Sequence, residues 1–150
     1  MNRAEAAAEN FLNGCNCAQS VLLAFSDLTG LDDATAMRLA SGFGGGMARM
    51  REVCGALSGM FMAAGLLYGS DGLNPAEKGA QYLRLQALAA EFREKHGSIL
   101  CRELLAGVKT DGSPLPAPRT PEYYAERPCA VYVASAAEIL ENYIKEHPVG

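Results

Sequence analysis

Apolar residues recur at helical spacing along most of the chain, and no segment alternates convincingly with the period of two that marks a strand. Arg3 to Leu12 predicts a short helix stopped by Asn13-Gly14. Asn16 then reads as the cap of a second helix, CAQSVLLAFSDL, closed by Thr29-Gly30. Asp32 or Asp33 caps a third, running to about Phe43. From about Met50 the pattern is helical again, and Val53 to Tyr68 holds no charged side chain. A helix apolar on every side belongs in an interior, so this segment is the expected centre of the fold. Gly55, Gly59 and Ala63 form a bare stripe along it, which lets a second helix come close.

Asn74-Pro75-Ala76-Glu77 combines a capping side chain, proline at the first helical position and a glutamate in the first turn. The helix it opens runs to about Lys95, with Tyr82, Leu85, Leu88, Ala89 and Phe92 on its apolar face. After Gly97, Ser98 caps a short helix, ILCRELL. Residues 107–121 are rich in proline and predict a strap over the surface, anchored by Tyr123 and Tyr124. A last helix runs from Cys129 to about Glu146, with Val131, Ala134, Ile139 and Tyr143 as inward candidates. The predicted fold class is all-α: a single domain, 1–150, forming a compact multi-helix bundle around a buried central helix at about 50–69.

Composition changes this picture in one respect. The net charge of −4 and the lack of a basic run exclude a nucleic-acid partner. The central apolar segment is shorter than the roughly 20 residues a bilayer needs, so the chain is not membrane-spanning. The N-terminus lacks the layout of a signal peptide, which places the protein in the cytoplasm as an expectation. Thiols there are kept reduced, so five cysteines point to metal binding, catalysis or transient redox work before structural disulfides.

The cysteines are Cys15, Cys17, Cys54, Cys101 and Cys129, and their spacing matches no zinc-ribbon, ferredoxin or haem-attachment pattern. Their place on the predicted helices says more. Cys17 follows the cap Asn16, Cys101 lies just past Ser98, Cys129 follows Pro128, and Cys54 comes early in the central helix. A helix N-terminus favours thiolate over thiol, and thiolate is both the nucleophile and the metal ligand. All four thiols are therefore expected to have lowered pKa values and to converge.

Those residues carry a resemblance. Gly14-Cys15-Asn16-Cys17-Ala18-Gln19, the glycine loop, Cys54-Gly55-Ala56-Leu57-Ser58-Gly59, Cys101-Arg102-Glu103-Leu104-Leu105, and Cys129 with Ala136-Ala137-Glu138 resemble the redox-active family named for four cysteines and a CGAxxG motif. By that resemblance the functional cysteines are Cys17, Cys54, Cys101 and Cys129, and Cys15 is extra. The leading reading is a thiol redox protein in which Cys54 attacks and one of Cys17, Cys101 or Cys129 resolves the mixed disulfide with an unidentified redox partner. The alternatives are a zinc or iron–sulfur site on the same four thiolates, and a binding or assembly module with structural cysteines. The pairing stays open.

Weaker candidates complete the reading. Met47, Met50, Met60 and Met62 suit core packing better than copper. His96 reads as a cation at a helix C-terminus and His147 as part of a frayed tail. Arg51 beside Cys54 is placed to lower its pKa, with Glu52 as a competing ion-pair partner. The glycine loop lacks the lysine of a phosphate-binding loop. A small-residue stripe and an exposed first helix fit a homodimer.

Overall fold

The computed structural model describes residues 1–149, and among them every regular element is a helix. In chain order these are α1 (Arg3–Leu12), α2 (Cys17–Leu23), α3 (Ser26–Thr29), α4 (Asp33–Leu39), α5 (Gly55–Tyr68), α6 (Pro75–His96), α7 (Cys101–Leu104), α8 (Pro121–Glu126) and α9 (Cys129–Glu146). The all-α expectation stands. No helix among the described residues is long and apolar enough to cross a membrane.

The core is one cluster built on α5, with Ala56, Leu57, Met60, Ala63 and Ala64 fully buried. α2 lies against it. A Cβ on Gly59 would sit 2.5 Å from the Ala18 carbonyl oxygen, and one on Gly55 would sit 3.0 Å from Cys17 Cβ. The small stripe is thus occupied by α2 of the same chain, so it does not supply the dimer contact expected of it. The first helix is not unpartnered either: Ala7 and Phe11 of α1 are buried, and α1 packs on α9.

Several boundaries differ from expectation. α5 begins at Gly55, because residues 50–54 are drawn into a loop pairing. Val53 bridges Leu100, and the Cys54 amide donates to the Ile99 carbonyl at 2.8 Å. The second predicted helix breaks after Leu23, and the third ends at Leu39 rather than near Phe43. The helix after Ser98 starts only at Cys101, although Ser98 Oγ still accepts from the Leu100 amide and donates to Glu103. Tyr82 and Val131 face outward, at 63% and 59% exposure, because α6 touches the core with its second half and α9 with its other face.

The strap holds no regular structure until α8, a helix the proline density concealed; Thr120 caps it and Pro121 opens it. Its anchors are real. Tyr124 donates to the Leu12 carbonyl, and Tyr123 stacks on Phe11. Arg119 adds a third tie: it donates to the carbonyls of Phe11 and Cys15 and lies over the Phe11 and Tyr123 rings. Arg119→Ala is therefore expected to loosen residues 108–120 while the helical core stays folded. Limited proteolysis reads this as faster cleavage confined to that segment; an unchanged cleavage map would refute the anchoring role.

Candidate functional site

Asn16, Cys54, Leu100 and Pro128 are the caps of α2, α5, α7 and α9, which makes Cys17, Cys101 and Cys129 first helical residues. Each position has a local cause. Asn16 and Gln19 close a reciprocal capping box, which starts α2 at Cys17. Pro128 cannot donate an amide, which suits the residue just ahead of a helix. The Cys101 amide donates to the Glu52 carbonyl at 2.6 Å, tying α7 to the residues before α5.

The four helix starts converge. Cys17, Cys54, Cys101 and Cys129 line one cavity, together with Arg51, Arg119, Arg127, Tyr123 and Tyr132. The cavity offers about 50 Å³, room for a few water-sized groups and no more. All five cysteines are free thiols. Cys15 stands apart, with its sulfur 3.9 Å from that of Met37.

One wall of the cavity is backbone in an uncommon conformation. Gly45, Gly46, Met47, Ala48 and Arg49 have consecutive φ values of 64°, 72°, 66°, 51° and 61°, and Arg51 adds 62°. This is a left-handed turn, which costs L-residues about 1–2 kcal/mol each. The surroundings hold it. The amides of Ala48 and Arg49 donate to Gly42 and Gly44, and that of Glu52 to Gly46. Arg49 reaches the Ser113 and Leu115 carbonyls of the strap and pairs with Asp111 at 3.6 Å. Only glycine fits at position 46, where a Cβ would meet Cys101 Cβ at 2.6 Å. Strain held in this way concentrates at functional sites. Its product here is the placement of Arg51, whose guanidinium points at Cys101 Sγ at 3.8 Å. Its Nε and Nη2 are buried without a hydrogen-bond partner, a state that costs roughly 1–3 kcal/mol or more for a charged donor.

The thiols do not share one protonation state. Burial pushes Cys54 up to about 12, and the Ala56 and Leu57 amides, which favour thiolate, offset only part of that. Burial also raises Cys101, against the pull of Arg51. Cys17 is raised well above the ordinary thiol value, first by the neighbouring Cys129 sulfur and then by burial. Cys129 alone is lowered. The Cys17 thiol stabilises its anion as a proton donor, and Arg127, Arg119 and Arg51 add positive charge against the cost of burial. The expectation of four lowered thiols is thus corrected at Cys17, Cys54 and Cys101: desolvation outweighs the partial charge of a helix end at Cys54 and Cys101, and the neighbouring Cys129 sulfur does so at Cys17. Cys54 also loses its place as the attacking thiolate.

Other sequence candidates fall elsewhere. Arg51 serves Cys101 and Cys129 rather than Cys54, and Glu52 pairs with Arg102 at 3.0 Å. Met60 is core, whereas Met47 and Met50 are exposed. His96 ends α6 as expected, but it lies tilted against the Phe92 ring at 4.6 Å, meets Ser135 Oγ at 2.8 Å, and burial lowers its pKa. His147 is stacked on Tyr143 at 4.1 Å rather than frayed. Sequence reasoning missed Arg119, Arg127, Tyr123 and Tyr132 as site residues. Arg127 precedes Pro128-Cys129 and carried a local signal; Arg119 carried none.

Among the described residues, no group of three or more His, Cys, Asp or Glu side chains is disposed to hold a metal ion. As arranged here, the residues do not fit a metal.

A family model described as "Putative redox-active protein (C_GCAxxG_C_C)" matches residues 15–143. No curated protein and no solved structure matches the chain.

Proposed function

The chain belongs to the C_GCAxxG_C_C family, and on that premise we propose that it performs thiol–disulfide exchange with Cys129 as nucleophile and Cys17 as resolving thiol. The observation that supports this is the pairing of the one thiol with a lowered pKa with the neighbouring Cys17 thiol, both in a cavity walled by three arginines. The Cys129 thiolate attacks one sulfur of a partner disulfide RSSR. A Cys129–S–S–R bond forms and RS⁻ departs. Cys17 then attacks the Cys129 sulfur, its proton going to the departing thiolates. The sum is Cys17–SH plus Cys129–S⁻ plus RSSR giving a Cys17–Cys129 disulfide, RSH and RS⁻. The partner gains the two electrons that the protein loses, and exchange with a dithiol returns them. A nucleophile with a pKa near ambient pH is best suited to such attack. Cys54 and Cys101 stay protonated and hold the chamber, so they do not compete.

Alkylation with iodoacetamide over a pH series, with each cysteine followed by peptide mass spectrometry, tests the assignment. Cys129 is expected to react first, with a midpoint below 9, the ordinary thiol value. Oxidation of the reduced protein with diamide is expected to join Cys17 to Cys129. Modification of Cys54 or Cys101 ahead of Cys129, or oxidation without an intramolecular disulfide, would overturn it. Zinc or iron retained through purification, with all four thiols protected, would favour the metal alternative.

A further inference from the structure

Beside the thiol chamber lies a second, larger cavity of about 320 Å³ between the left-handed turn and the strap. The two share Asn16, Gly45, Arg51, Arg119, Tyr123 and Arg127, so they adjoin across the same side chains. Arg49 also lines the outer space, and no Asp or Glu lines either one. Two of these arginines are engaged. Arg49 holds the strap through two carbonyls and Asp111, and Arg119 holds it through Phe11 and Cys15. The other two are not tied to the strap. Arg51 has Nε and Nη2 buried and unpartnered. Among the described residues, the Arg127 guanidinium contacts the Tyr123 ring at 4.7 Å and makes no side-chain hydrogen bond or ion pair.

We propose that this vestibule binds a carboxylate group of a low-molecular-mass disulfide and so presents the disulfide to Cys129. The inference rests on the exchange reading above and names its substrate class. The inner chamber is too small for more than the reacting group, so the body of a substrate must occupy the outer space. A guanidinium presents N–H donors in a planar fork that matches a carboxylate; Arg127 offers such a fork at the opening, and Arg51, which lines the same space with its unpartnered donors buried, adds positive charge to that wall. The strap closes one side of the vestibule, which makes it concave, as sites for small molecules are. The exchange step is the one written above, with R carrying the carboxylate. The disulfide takes up two electrons and one proton, leaving as RSH and RS⁻.

The test compares oxidation of the reduced protein by dithiodipropionate, which carries carboxylates, and by hydroxyethyl disulfide, which is uncharged. Formation of the Cys17–Cys129 bond is followed by mass spectrometry. The carboxylate disulfide is expected to react roughly tenfold faster, the scale of one charge-assisted hydrogen-bond pair. Arg51→Gln and Arg127→Gln are each expected to shrink that ratio, and Arg51→Lys to restore part of it. Losing an arginine also weakens the Cys129 thiolate, but that slows both reagents alike and leaves the ratio as the readout. Equal rates in the native protein, or a preference that both glutamine variants keep, would overturn the proposal. If the variants fail to fold, sulfate set against chloride at equal ionic strength decides it on the native chain. Sulfate must slow the carboxylate disulfide selectively, and no effect counts against the site. A parallel comparison of iodoacetate with iodoacetamide at Cys129 involves no redox step. If neither disulfide oxidises the pair while iodoacetate is still favoured over its rate ratio for a free cysteine peptide, the exchange reading falls and the anion site stands.

Discussion

Replacing Gly59 by alanine is expected to destabilise the protein by about 3 kcal/mol, the upper end of what overpacking usually costs. The added Cβ would lie 2.5 Å from the Ala18 carbonyl oxygen and 3.1 Å from Ala18 Cα. Both are backbone, so no side-chain rotation relieves the clash, and α2 must move away from α5. Because α2 carries Cys17 at its first position, the same change should slow formation of the Cys17–Cys129 disulfide. Gly65, on the same helix, provides the opposite result. A Cβ there meets nothing within 4 Å, so Gly65→Ala is expected to stabilise by about 0.5–1 kcal/mol through helix propensity alone. Urea denaturation of the reduced proteins reads both. Two changes of the same sign would show that helix propensity or solvent, and not the approach of α2, governs these glycines.

The second large effect is a loss of stability in alkali. Cys54 is held protonated in the fold up to about 12, against an ordinary value of 9.0. Its raised pKa contributes stability that is fully present below about 9 and is lost as pH climbs through the folded value. Three pKa units correspond to about 4 kcal/mol over that whole window, of which roughly half is lost by about pH 10.5. Cys17 and Cys101, also raised, act in the same direction. Cys129 does not offset them. Its lowered pKa adds stability as pH rises through its folded value, and that contribution is complete once the unfolded thiol has ionised near 9. Denaturation midpoints under reducing conditions should therefore fall steeply above pH 9, and Cys54→Ala should flatten the fall. A midpoint that declines equally in that variant would place the alkaline loss elsewhere, for instance at Tyr132, whose raised value works in the same sense.

Much of the local layout was readable from neighbouring residues. Asn16 with Gln19, Asp32, Asn74 with Pro75, and Thr29-Gly30 act through bonds within a few positions, so they mark helix ends without knowledge of the fold. The same signals put Cys17, Cys101 and Cys129 close to helix starts. Where prediction failed, a distant segment had intervened. Leu100 and Ile99 hold residues 53–54 in extended pairing, which delays α5 to Gly55. Met47, Ala48 and Arg49 have no local preference for a left-handed turn, and the strap and Cys101 enforce it.

Sequence alone determined the helical class, the apolar central segment, the glycine stripe that admits α2, and the place of Cys17, Cys54, Cys101 and Cys129 at or near helix starts. Those follow from side-chain period and from capping, which are short-range. Tertiary structure alone decided how the thiols differ in pKa. Burial raised Cys54 and Cys101, the neighbouring Cys129 sulfur raised Cys17, and the Cys17 thiol together with Arg127, Arg119 and Arg51, brought from distant parts of the chain, lowered Cys129. A pKa depends on every charge and every apolar wall within a few ångströms, and those neighbours are assembled only when the chain has folded.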